Sequence, residues 1–409
     1  MTPPPSKNVF SALRYRPFAL LWAGQTLSRL GDTIYTVALA WWVLGETGSA
    51  ETMSYVLLAN VAPAVALGLF GGVIVDRLPR LRVMLAADVA RTAINLAFAA
   101  GAASGELALW EVYVLSAAAG CCQAFFQPAY VAIVPEITPP ERLVQANSLT
   151  TLSGQFGQIL GPTIGALCIA VGGSELGFAL NGITFAVSAV SLFWLGHLHI
   201  RIPRGGEGSS LLADLGDGLR TVAGQPWLWV TIVLASLANF TLAGPMRVTV
   251  PYLIREVRLE GALSLGILLS AGAAGSVLVA LVFSSLGKLR HRGVIAYTAL
   301  ITNGVMLLVF AADGPIGLWW AAAFVGGAGL IVFELIWIGT LQEMVSGEKL
   351  GRVAAIDYVG SFGLLPVGLI VAGVLTPSLG ARETLVLAGT AMCLLPLLAL
   401  LSPAIRRLD

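Results

Sequence analysis

Charged residues are scarce in this sequence, where Asp, Glu, Lys and Arg together make up 11% of the 409 residues. Soluble domains carry about 25% charged residues, and about 45–50% of their residues are apolar. Here 57% of the residues are hydrophobic. A chain this apolar cannot hide its surface from water in one or two globular cores. The composition therefore predicts an all-α integral membrane protein.

Catalytic and cofactor motifs are also missing. There is no Gly-x4-Gly-Lys-Ser/Thr, which argues against ATP hydrolysis, and no His-Glu-x2-His for a metalloprotease. The sequence also has no basic tail of the kind that would indicate nucleic-acid binding. The sequence thus predicts neither enzyme activity nor a cofactor or metal. The few histidines fall in predicted cytoplasmic loops, and the few cysteines lie in apolar runs without metal-ligand spacing: His197, His199, His291, Cys121, Cys122, Cys168 and Cys393.

Long apolar runs dominate what is present. About twenty apolar residues in a helix cross a hydrocarbon core of about 30 Å. The sequence predicts twelve such spans, near residues 17–45, 52–75, 82–103, 107–134, 147–171, 175–196, 226–254, 262–286, 293–312, 316–340, 353–376 and 383–402.

The basic residues are sorted between the loops. Seventeen of the 23 Lys and Arg residues fall in the even-numbered loops and the termini, and three fall in the odd-numbered loops. Cytoplasmic loops carry an excess of Lys and Arg. We therefore expect a multi-pass protein of the cytoplasmic membrane with both termini in the cytoplasm.

The chain divides into two similar halves. We predict an N-terminal six-helix bundle at 1–197, a cytoplasmic linker at 198–225 and a C-terminal six-helix bundle at 226–409. In the linker, leucines at helical spacing fit an amphipathic surface helix, and a flexible linker fits as well. Shifting Phe126–Gly161 by 207 residues aligns Glu136 with Glu343 and Gly161 with Gly368.

A short polar hinge, GGVIVDRLPRLR at 71–82, separates the second and third spans. Its pattern of Gly72, Asp76, Arg77 and Arg80 resembles the corresponding loop of the major facilitator superfamily. The resemblance implies two six-helix bundles with parallel repeats and a substrate site at their interface. It also implies a gating role for these four residues. Asp76 would meet the start of the eleventh helix, where Asp357 could contact the hinge.

The fifth span carries Gly157, Gly161, Pro162 and Gly165, which resemble the Gly-x3-Gly-Pro-x2-Gly pattern of the superfamily's antiporters and are predicted to take part in gating. Glycines four apart let another helix pack closely, and Pro162 removes a backbone hydrogen bond and bends the helix. Ordinary small-residue packing is the alternative. Further motifs, at 126–148 and 341–368, resemble the drug-exporter branch that includes macrolide efflux proteins and the enterobactin exporter.

Polar residues within the spans are the candidates for proton coupling and substrate binding, because charge in lipid is costly. In the first span Gln25, Arg29 and Asp32 share one helix face. Asp32 is the predicted proton carrier, and a purely structural Arg29–Asp32 pair is the alternative. Asp88 and Arg91 are predicted to form a structural pair. The remaining cavity candidates are Gln123 and Gln127 in the fourth span, Asn239 and Arg247 in the seventh, and Glu334 in the tenth.

The sequence therefore predicts a secondary transporter. We expect a proton-coupled antiporter that exports small amphipathic or lipophilic compounds by alternating access. The expected partners are a small-molecule substrate, protons and the lipid bilayer, with Na⁺ left open as the coupling ion and a monomer as the assembly. An importer or lipid flippase on the same fold is one alternative. A membrane sensor or assembly factor without transport is the other.

Overall fold

The computed structural model describes residues 9–198, 211–283, 290–406 and 408, without the side chains of residues 9, 69–77, 211–215, 217, 347, 348 and 351. Within this part of the chain the regular structure is entirely helical, with no strand. The helices are α1 (Arg16–Thr47), α2 (Ala50–Arg77), α3 (Arg80–Ser104), α4 (Leu109–Ile137), α5 (Leu143–Gly196), α6 (Leu211–Ala223), α7 (Pro226–Gly244), α8 (Val250–Tyr252), α9 (Ala262–Phe283), α10 (Arg292–Ala311), α11 (Ile316–Met344), α12 (Gly347–Phe362), α13 (Leu365–Leu379), α14 (Ala381–Leu400) and α15 (Pro403–Arg406).

Ten helical segments in the described residues are long and apolar enough to cross a membrane. One of them, Pro140–Gly196, has 57 residues, and its backbone leaves the helical conformation at Gly172 and Gly173. Gly173 has φ +71°, which glycine adopts without strain. Helix α1 is 32 residues long but carries Arg29 and Asp32, and it is not among the ten. The all-helical membrane architecture is confirmed, and the count of twelve spans stays a prediction.

The predicted seventh span contains irregular turns. Helix α7 continues into a π-helical turn at Pro245–Thr249, then α8, then a second π-helical turn at Leu253–Val257. Such turns within α-helices are frequent at functional sites. Arg247 lies in the first of them. By contrast, α5 keeps helical φ and ψ through Pro162.

The chain forms two compact units. Unit 1 comprises Met1–Trp42 and Val56–Gly206, and unit 2 comprises Val43–Tyr55 and Glu207–Asp409. Each unit has its own apolar core. In unit 1 the core includes Phe18, Met84 and Ile133, and in unit 2 it includes Leu228, Tyr297 and Met392. The predicted boundaries at 197 and 226 stay predictions.

The linker helix α6 is amphipathic and packs against protein. Val222 is buried in the core of unit 2, and Gly218 lies against the side chains of Ile356 and Arg352 in α12. Leu219 is exposed. One side of α6 therefore packs on α12. The sequence predicted a helix on the membrane surface or a flexible linker, and the side chains of residues 211, 212 and 215 on its predicted apolar face lie outside the described part. Residues 199–210 of the linker lie outside the described part.

Close packing at glycines positions α1 within unit 1. Gly161 of α5 lies against Thr33, and Gly165 lies against the backbone of Ile34. The Thr33 hydroxyl donates to the Gly157 carbonyl at 3.0 Å. The predicted role of the glycine motif in helix packing is thus visible as direct contact with α1, whereas its role in gating stays a prediction.

The same contact recurs in unit 2. A Cβ added at Gly368 of α13 would lie 2.6 Å from the carbonyl oxygen of Phe240 in α7, so the two helices are in close contact here. A shift of 207 residues takes Gly161 to Gly368 and Thr33 to Phe240. The internal packing of each unit therefore follows the register of the sequence repeat.

Candidate functional site

A small polar cavity lies inside unit 1. Its volume is about 60 Å³, enough for a few water molecules or one small polar group. Five of the predicted candidates line it, namely Gln25, Arg29, Asp32, Gln123 and Gln127. Ser28, Arg91 and Phe126 complete the lining. The structure therefore brings together the candidates of the first and fourth spans, and it adds three residues that were not predicted.

Helix geometry explains how α1 supplies four of these residues. Gln25, Ser28, Arg29 and Asp32 follow each other at spacings of three, one and three, so they share one face. Thr33, the residue after Asp32, lies on a different side of α1 and contacts Gly157 and Gly161 of α5. Because α5 holds α1 from that side, the polar face is fixed toward the cavity.

Arg29 is held by α4 and α5. Its Nη1 donates to the Thr150 carbonyl at 3.3 Å, and its guanidinium carbon lies 5.1 Å from the ring centroid of Tyr130. No ion pair joins Arg29 to Asp32, although both residues are described. The alternative of a closed Arg29–Asp32 salt bridge is therefore not what the structure contains.

Arg91 is the cavity residue that the sequence reasoning misplaced. Its guanidinium carbon lies 4.6 Å from the ring centroid of Phe185 and 5.6 Å from that of Phe126. Arg91 and Asp32 both line the cavity. Asp88 and Arg91 are both described, and they do not form the predicted ion pair. Arg91 instead points between α4 and α5, because aromatic rings from both helices stabilise its cation there.

Asp88 belongs to a separate buried network. Its side chain is 0% exposed, and its Oδ2 accepts a 2.6 Å hydrogen bond from Ser188. The Ser188 hydroxyl in turn accepts a 2.8 Å hydrogen bond from Gln25 Nε2. Gly24 allows this contact, since a Cβ there would lie only 3.0 Å from the Ser188 Cα. A serine within an apolar run has no periodic signal that sequence reasoning could have used.

The candidates of unit 2 are not among the residues that line this cavity. Asn239 donates to the Ser361 carbonyl at 3.0 Å and so joins α7 to α12. Glu334 and Arg247 are exposed on the unit, and neither makes a hydrogen bond or ion pair within the described part of the chain. Asp357 accepts hydrogen bonds from Trp337 Nε1 and Ser361 Oγ, each at 3.0 Å. These two contacts within unit 2 occupy both oxygens of the Asp357 carboxylate.

The hinge residues are described in part. Helix α2 runs through Gly72, Asp76 and Arg77, but their side chains lie outside the described residues. Arg80 forms an ion pair with Glu136 near the C-terminal end of α4. In unit 2 Arg292 forms an ion pair with Glu343, the residue that the repeat aligns with Glu136. The gating role of the hinge stays a prediction.

In chemical terms, the cavity of unit 1 offers one carboxylate, two guanidinium groups and amides. Within the described residues no cluster of His, Cys, Asp or Glu could hold a metal ion. The side chains offer hydrogen-bond donors and acceptors to polar groups, and the role of Asp32 as proton carrier stays a prediction. This combination, inside a bundle of apolar helices, is typical of a membrane transport protein rather than of an enzyme.

Comparisons with known proteins also indicate a membrane transport protein. The chain belongs to the Major Facilitator Superfamily, whose family model matches residues 21–363. It is therefore a multi-pass membrane transporter. A bacterial homologue of the iron transporter ferroportin, solved in an inward-facing state, has a similar structure, with a TM-score of 0.74 and 16% identity over 94% of this chain and 98% of that one. At that identity the likeness shows the fold alone.

Two curated relatives are named as efflux proteins. Multidrug efflux pump Tap of Mycolicibacterium fortuitum is 30% identical over 412 residues, covering 96% of each chain. Macrolide efflux protein A of Streptococcus pyogenes is 22% identical over 399 residues, covering 96% of this chain and 97% of the relative. The resemblance to the drug-efflux branch of the superfamily is confirmed.

Proposed function

We propose that this chain is a proton-coupled antiporter that exports small amphipathic or lipophilic compounds by alternating access. The efflux names of its relatives and the antiporter-like glycine motif support the direction. The sorting of basic residues supports an orientation with both termini in the cytoplasm. The chain would work as a monomer in the cell membrane.

One observation carries the proposal of proton coupling. Asp32 is the only carboxylate that lines the cavity of unit 1, and it forms no ion pair there within the described residues. Desolvation favours a neutral carboxyl and nearby arginines favour a carboxylate. A polar group of the substrate that enters the cavity changes both influences. Binding of the substrate can thereby expel the proton, and proton uptake can expel the substrate.

The test is Asp32→Asn in purified protein reconstituted into liposomes. The amide has nearly the shape of the protonated acid, so folding should largely survive. Uphill, proton-driven export should be lost, while exchange of substrate down its gradient should persist. Glu106→Gln is the matched control, because it makes the same acid-to-amide change in an exposed residue between spans. It should transport like the wild type.

Two outcomes would contradict the proposal. A stable Asp32→Asn protein that still pumps against a gradient would remove Asp32 as the proton carrier and make Glu334 the next candidate. If Asp32 served only to neutralise the half-buried Arg29 and Arg91, the variant would lose stability, by up to the about 3–5 kcal/mol that an uncompensated buried charge costs. Membrane abundance, substrate binding and proton uptake measured on one preparation separate these outcomes.

The alternatives predict other results. An importer or lipid flippase would accumulate substrate in the opposite direction or move labelled lipid. A sensor or assembly factor would move no protons when substrate is added to the liposomes. A substrate screen in an efflux-deficient host, with and without a protonophore, identifies the compounds with which to begin. Repeating it with a Na⁺ ionophore tests the coupling ion.

A further inference from the structure

The buried carboxyl of Asp88 is linked to the cavity although it does not line it. Ser188 stands between Asp88 and Gln25, with hydrogen bonds of 2.6 Å and 2.8 Å, and all three side chains are buried. Asp88 Oδ1 has no hydrogen-bond partner in the described part of the chain. Only Gln25 of the three reaches the cavity.

The direction of the hydrogen bonds determines what Gln25 presents. A serine hydroxyl has one proton. Ser188 gives that proton to Asp88, so it can only accept from Gln25. The Gln25 amide must therefore turn its NH₂ group toward Ser188, which leaves its carbonyl oxygen available to a group in the cavity. The orientation of the amide is thus assigned from the network.

We propose that Asp88 is a second proton-binding residue and acts as a positioning residue, setting through Ser188 which end of the Gln25 amide faces the cavity. This inference rests on the proposed function of proton-coupled transport. When a proton binds Asp88 Oδ2, the new O–H group donates to Ser188 Oγ. The Ser188 hydroxyl then rotates and donates its own proton to Gln25 Oε1. The amide turns over, and its NH₂ group faces the cavity.

The proton count is simple in this scheme. One proton is added at Asp88, and the other changes are rotations of Ser188 and Gln25 without bond cleavage. With Asp88 ionised, Gln25 and Asp32 both offer acceptors to the N–H or O–H groups of a substrate. With Asp88 protonated, Gln25 offers a donor instead. Proton uptake at Asp88 therefore weakens the binding of a donor group, which is the direction that antiport needs.

Other charged and titratable groups face Asp88 from the surrounding helices. Arg91 is on the same helix, Asp32 faces it from α1 and Cys122 from α4. Helix α5 contributes the uncharged hydroxyl of Ser188. The test must therefore separate Asp88 from Asp32 and from Cys122, which single substitutions do.

The experiment is a pH titration of the full-length protein in lipid nanodiscs, followed by infrared difference spectroscopy, with no substrate added. The glutamine side-chain carbonyls carry a carbon-13 label. We expect a carboxyl band that appears on acidification and is lost in Asp88→Asn, together with a shift of a glutamine band that is lost in Gln25→Met. Both signals should have one midpoint, and they should persist in Asp32→Asn and in Cys122→Ala.

Ser188→Ala removes the hydroxyl that connects Asp88 to Gln25 and leaves both of those side chains in place. It should keep the Asp88 carboxyl band and abolish the accompanying shift of the Gln25 band. Ser153→Ala is the matched control, because this buried serine of the same helix donates only to the Leu149 carbonyl of its own helix. It should leave both signals unchanged. Ser188→Ala adds no charge and no volume, so the link can be tested even if Asp88→Asn does not purify.

The inference and the proposed function fail in different ways. A wild-type spectrum without an Asp88 carboxyl band at any pH at which the protein stays folded would overturn the inference. A Gln25 band that still shifts in Ser188→Ala would also overturn it. Neither result bears on Asp32. Conversely, uphill pumping by Asp32→Asn would overturn the proposed role of Asp32, while the coupled bands of Asp88 and Gln25 would remain.

Discussion

Gly161 offers a sharp test of how α1 is positioned. A Cβ added at this residue would lie 2.7 Å from the Cβ of Thr33 and 3.3 Å from the carbonyl oxygen of Leu30. Rotation of Thr33 cannot relieve the first contact, because a Cβ is fixed to the backbone. Ordinary contact begins at 3.4 Å, so Gly161→Ala must separate the two helices by about 0.7 Å at this point.

The energetic consequence can be worked out from the contacts. Overpacking costs ~1–3 kcal/mol, and the hydrogen bond from Thr33 to the Gly157 carbonyl is weakened, a loss of ~0.5–1.5 kcal/mol. Alanine gains ~0.8–1.0 kcal/mol over glycine as a helix former. The net destabilisation is therefore about 2 kcal/mol. At Gly157 the nearest atom would lie 3.5 Å away, so Gly157→Ala should be neutral or slightly stabilising.

The assay is thermal unfolding in detergent, reported by a fluorogenic thiol reagent. The four native cysteines are free and partly buried, so they react as the helices open. Gly161→Ala should unfold at a lower temperature than the wild type, and Gly157→Ala should not. Equal midpoints for the two variants, or a lower midpoint for Gly157→Ala, would refute the close approach of α1 and α5 described above.

Three further predictions concern other parts of the chain. In a protein without its native cysteines, a single cysteine at Ser49 should react with an impermeant thiol reagent in intact cells. A single cysteine at Gly206 should react only after lysis, and its labelling in intact cells would contradict the predicted topology. Asp76→Asn should slow transport at unchanged membrane abundance, and wild-type rates would contradict a gating role. Trp337→Phe removes the indole donor to Asp357 and should lower stability by about 1 kcal/mol, with little additional loss when combined with Asp357→Asn.

The sequence was informative where a periodic pattern decides the structure. Apolar run lengths predict the membrane helices, and the spacing of Gln25, Arg29 and Asp32 predicts a shared face that the structure places on the cavity. Both follow from the repeat of a single helix. The sequence also predicts that glycines of the fifth span allow close packing, and the partner of that packing is α1.

Tertiary contacts explain what could not be predicted. Arg91 lies three residues after Asp88, a spacing that favours a local pair, but its guanidinium stacks on Phe185, which is distant in sequence. Likewise, amphipathicity shows that α6 has an apolar face and does not show what covers it. The contact of Gly218 with Ile356 and the burial of Val222 show that one side of α6 packs on protein.

The repeat clarifies what the Asp32 experiment can report. The 207-residue shift that aligns the glycine contacts places Asn239 at the position of Asp32 and Glu334 at that of Gln127. Each half thus carries an acid at one of two equivalent positions and an amide at the other. In unit 2 the amide donates to the Ser361 carbonyl, which a carboxylate could not do. Because the equivalent helix already accommodates an amide at this position, Asp32→Asn is expected to fold. Loss of uphill transport in that variant would then reflect the chemistry of the carboxyl rather than the packing of α1.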